Sequence, residues 1–250
     1  NRYTDRELNL KLNLDKSRIA DRRALLTQLD NARSEETAYE QLDHYSRMAA
    51  DMLLGSPVRD AYDLKKEDPK IRHMYGDHMG GQSLLLARRL VEAGVPVVQT
   101  ILSASDLAGG SGDNWDTHRN HFPKMKDRLL PVFDRSVSAL LTDLEMRGML
   151  EETLVVFLTD FGRTPKVNGN GGRDHYPNVY SLAYAGGGIQ GGQVYGASNK
   201  KGTEPAAGAC SPADIHATAF RAMGIDPRTE LHDQLDRPFQ LCDGNPLPLF

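Results

Sequence analysis

The chain has 250 residues, 39% of them apolar and 26% charged, and its 30 basic and 34 acidic side chains leave a formal net charge of −4. This length allows one large domain or two small ones with a sizeable buried core, and the composition excludes disordered, collagen-like and disulfide-scaffold classes. No run approaches the roughly 18 apolar residues of a spanning helix, and the mildly acidic mixture of signs argues against a nucleic-acid binder, which would carry a basic stripe. The two cysteines, Cys210 and Cys242, are uninformative about compartment.

Residues 1–75 hold a single glycine, Gly55, and read as helical: Leu25, Leu26 and Leu29, then Leu42, Tyr45, Met48, Ala49, Met52 and Leu53, recur at three- and four-residue spacing. Two helices ending near Gly55-Ser56-Pro57 are expected here. We therefore expect residues 1–80 to form a helical segment packed on a core made by residues 81–250. A third helix is expected from Gln82 to Ala93 with Gly94 as its cap, followed by the apolar run Val95 to Leu102 as a buried parallel strand. Residues 103–118 read as a loop.

Phe122 to Arg147 reads as a long helix closed by Gly148, with a kink or break near Pro131. Thr153 to Leu158 is a second apolar strand and Val179 to Ala185 a third, separated by a polar, glycine-rich loop. The alternation of helix and strand predicts an α/β fold with a mostly parallel sheet. Gly186 to Gly192 lacks a phosphate-loop spacing and reads as a tight turn. Ser211-Pro212-Ala213-Asp214 starts a last helix, with Ser211 as N-cap, and Gly224 ends it.

Ligands of open α/β sheets bind in loops beyond the carboxyl ends of strands. The loops in question hold Asp116, His118 and His121, then Asp160 and Arg163, then Arg173, Asp174 and His175. Carboxylates and imidazoles ligate divalent ions, and a neighbouring arginine takes an oxyanion in its planar fork. The same residues also have bland readings: Asp116 as a turn carboxylate capping the next helix with His118 packed on Trp115, Asp160 as an ordinary loop aspartate, Arg173 and Asp174 as a surface ion pair. His44, His73, His78, His216 and His232 read as structural or solvent-facing.

The stretches LLARRLVEAGVPVV, NWDTHRNHF, LTDFGRTPKVN, GGRDHYPNVYSLAYAGGGIQGGQVYGAS and SPADIHATAFRAMGIDP resemble the bacterial family called domain of unknown function 1501, over nearly the whole chain. That family is similar to the alkaline phosphatase and sulfatase superfamily, which implies an α/β/α sandwich and a metal-dependent hydrolase of phosphate or sulfate esters. The resemblance implies metal ligands at Asp116, His118, Asp160 and His175, with Phe161 standing where a histidine of a second metal site is usual. It implies a divalent metal, zinc first and then calcium, magnesium or manganese, and a small-molecule or glycan ester as substrate. By their chemistry, Arg163, Arg173, Asp174 and His121 are expected to bind the substrate. Nothing in residues 1–80 resembles the nucleophile segment, so the chain reads as the carboxyl-terminal part of a larger sandwich, with the nucleophile upstream of Asn1. Export to the periplasm or beyond is implied as well, although no signal peptide is visible. The competing expectation is a module on the same fold that binds an anion, a glycan or a partner without catalysis.

Overall fold

The computed structural model describes residues 56–103 and 114–250. The two helices expected before Gly55 lie outside the described residues. The chain divides into two compact units, one containing residues 56–73 and 82–101 and the other residues 74–81 and those from 102 to 250.

In the first unit, α1 spans Ser56–Tyr62, α2 Pro69–Tyr75 and α3 Met79–Glu92, the last residues of α2 and the first of α3 counting with the second unit. Pro69 occupies the first position of α2 and the Asp68 carboxylate accepts the Lys70 N–H at 2.7 Å, so the missing proline N–H costs the helix nothing. The end of α3 follows the expected cap: Gly94 takes φ +90° while Val95 N–H reaches Leu90 O at 3.0 Å and Gly94 N–H reaches Val91 O at 2.9 Å.

A charged cluster ties these helices together. Arg88, only 1% exposed, pairs with Glu67 and Glu92; Arg89 donates to Glu67 at 2.8 Å and to the Ala61 and Asp60 carbonyls at the end of α1. The run from Val95 to Leu102, expected as a buried parallel strand, forms no ladder, and Val97 and Ile101 are 68% and 58% exposed. Apolar character alone does not make a strand: the backbone groups of the run need a partner strand, and none of the described strands pairs with it.

The second unit contains the long helical run as α4 (His121–Lys124), a π-helical turn over Met125–Leu129, and α5 (Leu130–Met146). The irregularity expected near Pro131 is this wide turn, in which the Leu130 N–H reaches back to Met125 O just before the proline that has no N–H to give. α5 buries Ala139, Leu140 and Leu144, and also Asp143, whose carboxylate accepts the Tyr75 hydroxyl at 3.0 Å and Arg147 Nε at 2.7 Å.

All strand pairs among the described residues are two-stranded and antiparallel, which corrects the expectation of a mostly parallel sheet. β1 (Val155–Phe157) pairs with β4 (Ala183–Ala185), and nested within that loop β2 (Gly162–Arg163) pairs with β3 (His175–Tyr176). A parallel return needs a crossover of a dozen or so residues, usually a helix. The polar stretch after β1 instead doubles back on itself, so its two ends meet in opposite directions. β5 (Ala197–Ser198) pairs with β6 (Pro205–Ala207), and β7 (Glu230–His232) with β8 (Pro238–Gln240). The last helix, α6 (Pro212–Ala222), starts at Ser211 with the expected cap, a full capping box in which Asp214 reciprocates, and it buries Ile215, Ala217 and Thr218. The fold is thus mixed α/β with short antiparallel pairs. No helix among the described residues is long and apolar enough to cross a membrane.

Burial pushes the Glu67 carboxyl up, but hydrogen bonds from Arg89 and Arg88 outweigh it and hold the group below its ordinary value of 4.5. Glu67→Gln removes the charge and leaves a buried guanidinium short of its counter-ion, with an expected loss of about 3 kcal/mol at neutral pH. Because the folded-state pKa is depressed, this contribution is complete above the ordinary carboxylate range and is lost as pH falls through the lower, folded value. Urea unfolding followed by circular dichroism should show a large difference between wild type and variant at neutral pH that shrinks in acid. Coincident curves at neutral pH would refute the role of the pair.

Candidate metal centre

Two loops build the site, and each is shaped by short polar side chains. In the first, the Asn114 carboxamide accepts the Asp116 N–H at 3.2 Å, and Trp115 anchors the turn with its Nε1–H on Leu102 O at 2.6 Å and its ring edge-on to Phe133. In the second, Asn168 is a hub: its Oδ1 accepts the N–H groups of Asn170 and Gly172, and its Nδ2 donates to His118 O at 3.1 Å and to Asp174 Oδ1 at 3.0 Å.

Backbone bonds then join the loops. Arg173 N–H donates to Thr117 O at 3.0 Å, His121 N–H to Gly171 O at 2.9 Å, and Asn120 N–H, from a residue at φ 51°, to Asn170 O at 3.2 Å. Gly172 sits so close to the first loop that a Cβ there would lie 2.0 Å from His118 O and 2.5 Å from Arg119 N.

This stitching brings together Asp116, His118 and His175. His175 Nε2 lies 2.9 Å from Asp116 Oδ1, His118 Nε2 lies 3.1 Å from the same oxygen, and the two imidazole Nε2 atoms are 3.1 Å apart. One ligand atom from each residue therefore points to a common place, and the three side chains are about half exposed. Donors on a first-row ion at about 2.0–2.1 Å are separated by about 3.0–3.4 Å, so this triad fits such an ion in size and in chemistry.

Supporting groups surround it. Arg163 donates from Nη2 to Asp116 Oδ1 at 2.8 Å and to Trp115 O at 3.0 Å, and from Nη1 to Arg173 O at 3.3 Å. His118 Nδ1 is 2.7 Å from Asp174 Oδ1. The Phe161 ring lies against His175, centroids 4.2 Å apart. The hydrogen bonds from His175 and then from Arg163 hold the Asp116 carboxyl below the usual carboxylate range, and those from His118 and Asn168 do the same for Asp174. Both therefore remain ionised well into acid.

The remaining expected residues sit nearby with other partners. The Asp160 carboxylate is turned to its own loop, accepting the Phe161 N–H at 2.9 Å and the Thr159 hydroxyl at 3.3 Å, and is not one of the converging ligand atoms. His121 Nδ1 is 2.7 Å from the Thr117 hydroxyl, and burial first, then the charges of Arg173 and Arg163, depress its pKa. The Arg173 guanidinium lies over the Phe122 ring at 5.4 Å, and its Nε is buried with no hydrogen-bond partner among the described residues. Asn168 was not anticipated. An asparagine before Gly169 signals only a turn, and nothing in the sequence shows that its amide would bridge two loops.

Gly172→Ala tests the closeness of the loops. The added methyl must displace the His118 backbone, with an expected cost of about 1–3 kcal/mol from overpacking. Thermal unfolding by calorimetry measures it; an unchanged midpoint would mean that the loops are not held in this contact.

No match to the chain was found among curated proteins or among solved structures. The family model described as a protein of unknown function, DUF1501, matches residues 3–248. Covering almost every residue, from before the first described helix to the strand pair and tail beyond α6, this match places the chain in the DUF1501 family.

Proposed function

We propose that the protein is a metal-dependent hydrolase of phosphate or sulfate esters, acting outside the cytoplasm. The observation that carries this reading is the convergence of Asp116 Oδ1, His118 Nε2 and His175 Nε2 within hydrogen-bond distance of one another. Two imidazoles and a carboxylate form a three-point cap that leaves further positions for water and substrate, and the donor set suits zinc first, with manganese or iron as rivals. A bound divalent ion would polarise the ester oxygen and offset charge as it develops.

Within this reading Arg163 is a strut. Its guanidinium is occupied by Asp116 and two carbonyls, and it holds the carboxylate in place. Arg173, whose guanidinium lies over the Phe122 ring and is not tied to a carboxylate among the described residues, is the better candidate for gripping a substrate oxyanion, with His121 beside it. The nucleophile is expected outside the described residues.

A second reading is favoured by Asp160 and Phe161. With the Asp160 carboxylate bonded to its own loop and a phenyl ring on His175, a two-metal site finds no support here, and a single ion with loop cations would suit a module that binds an anion or glycan without turnover.

Elemental analysis by mass spectrometry of freshly purified protein, expressed with metal supplementation, addresses the metal. We expect about one ion per chain, as a three-residue cap implies, and its loss in both Asp116→Ala and His175→Ala. Trace metal in wild type would end the reading, and retention in both variants would refute the ligand assignment. Assays with aryl phosphate and aryl sulfate then separate the two readings: metal-dependent turnover abolished by His175→Ala supports the hydrolase, whereas a full metal complement with no turnover of either ester favours the binding module.

A further inference from the structure

We infer that Asp174 is a positioning residue for the metal centre: through His118 Nδ1 it fixes the tautomer and ring orientation that leave His118 Nε2 free to hold the ion, and Asn168 in turn fixes Asp174. The inference rests on the metal reading above. It departs from the expectation that Asp174 would touch substrate.

The geometry is a chain of single contacts. Asp174 Oδ1 is 2.7 Å from His118 Nδ1, the nitrogen remote from the cluster, while Nε2 of the same ring lies 3.1 Å from both Asp116 Oδ1 and His175 Nε2. A carboxylate can only accept, so the proton of a neutral His118 belongs on Nδ1. That leaves the Nε2 lone pair directed at the place where the three ligand atoms meet. A proton on Nε2 instead would leave no lone pair for an ion, and would set Nδ1 as a second acceptor against a carboxylate.

Asp174 is itself held from three sides. The Asn168 amide donates to the same Oδ1 at 3.0 Å, the Asp174 N–H donates to the Thr164 hydroxyl at 3.1 Å, and the Thr164 N–H donates to the Asp174 carbonyl at 2.9 Å. Asn168 also donates to His118 O, so one amide sets the carboxylate and the backbone of the histidine it orients. Carboxylate, imidazole and ion in a row is the usual way such a ligand is steered, and removing the outer carboxylate typically weakens metal affinity by about 10–100-fold.

The experiment compares wild type, Asp174→Ala and Asp174→Asn, each stripped of metal and titrated with zinc alone by calorimetry. Long-range proton–nitrogen correlation spectra of the metal-free proteins report which nitrogen of His118 carries the proton. Zinc affinity should fall about 10–100-fold in Asp174→Ala, with the His118 proton moving off Nδ1. Asp174→Asn, which keeps an accepting oxygen, should recover part of both. A residue that merely supported the fold would lower the metal-free melting temperature and leave the tautomer alone. Wild-type zinc affinity in Asp174→Ala, or a wild-type His118 protonated on Nε2, overturns this inference while leaving the metal reading intact. Failure of wild type itself to bind zinc or any supplemented ion overturns both.

Discussion

The centre depends on a backbone seam between two loops about fifty residues apart in sequence. Three amide-to-carbonyl bonds, Arg173 to Thr117, His121 to Gly171 and Asn120 to Asn170, hold the first loop against the second. The seam closes only because Gly172 presents no side chain to the His118 carbonyl and because Asn120 accepts a left-handed conformation that few residues other than glycine tolerate as well as asparagine does. Once it is closed, residues on either side are placed by covalent geometry. Asp116 and His118 come from one edge, and Asp174 and His175 from the other.

What the seam brings together is electrostatically unbalanced. His118 Nε2, His175 Nε2 and Asp116 Oδ1 sit about as close as hydrogen-bonded atoms do, yet all three present lone pairs when both imidazoles are neutral and carry their protons on Nδ1. Such a cluster is repulsive unless a proton or a cation lies among its members. In the absence of an ion, a proton on His175 Nε2 shared with Asp116 relieves part of the repulsion, and Arg163 relieves more from the far side of the carboxylate. A divalent ion would satisfy all three atoms at once. The half-exposed setting matters here, because the ion would keep part of its hydration and would not meet the desolvation penalty of a closed interior.

Much of this was readable from sequence where the signal is local. The caps at Gly94 and Ser211, the helical run ended by Gly148 and the disturbance near Pro131 follow from what single residues do to φ or to a missing N–H, and all are present. Asp116, His118 and His175 were among the candidate ligands, but so were Asp160 and others, and an aspartate and a histidine in a polar loop read equally well as a turn carboxylate and a packed ring. Pairing was not readable. Val155 to Phe157 has the same apolar character whether its neighbour runs parallel or antiparallel, and the choice was made by a loop that folds back through β2 and β3. Nor could sequence separate Asp160, which serves its own turn, from Asp116, which faces across the seam. Both are aspartates in polar loops, and only the partner distinguishes them.

The arginines show the same difference at the level of function. Sequence chemistry treats an arginine beside a metal site as a receptor for an oxyanion, and by that logic Arg163 and Arg173 are equivalent. Arg163 is already committed to a carboxylate and two carbonyls, so a substrate anion would compete with Asp116 for its charge. The Arg173 guanidinium has no such carboxylate partner among the described residues and rests on the face of Phe122, where a cation loses little by gaining an anionic partner as well. Arg163 acts in a different way. A carboxylate oxygen that accepts a guanidinium N–H has less electron density to give, so this strut would make Asp116 a weaker donor to an ion held by the triad.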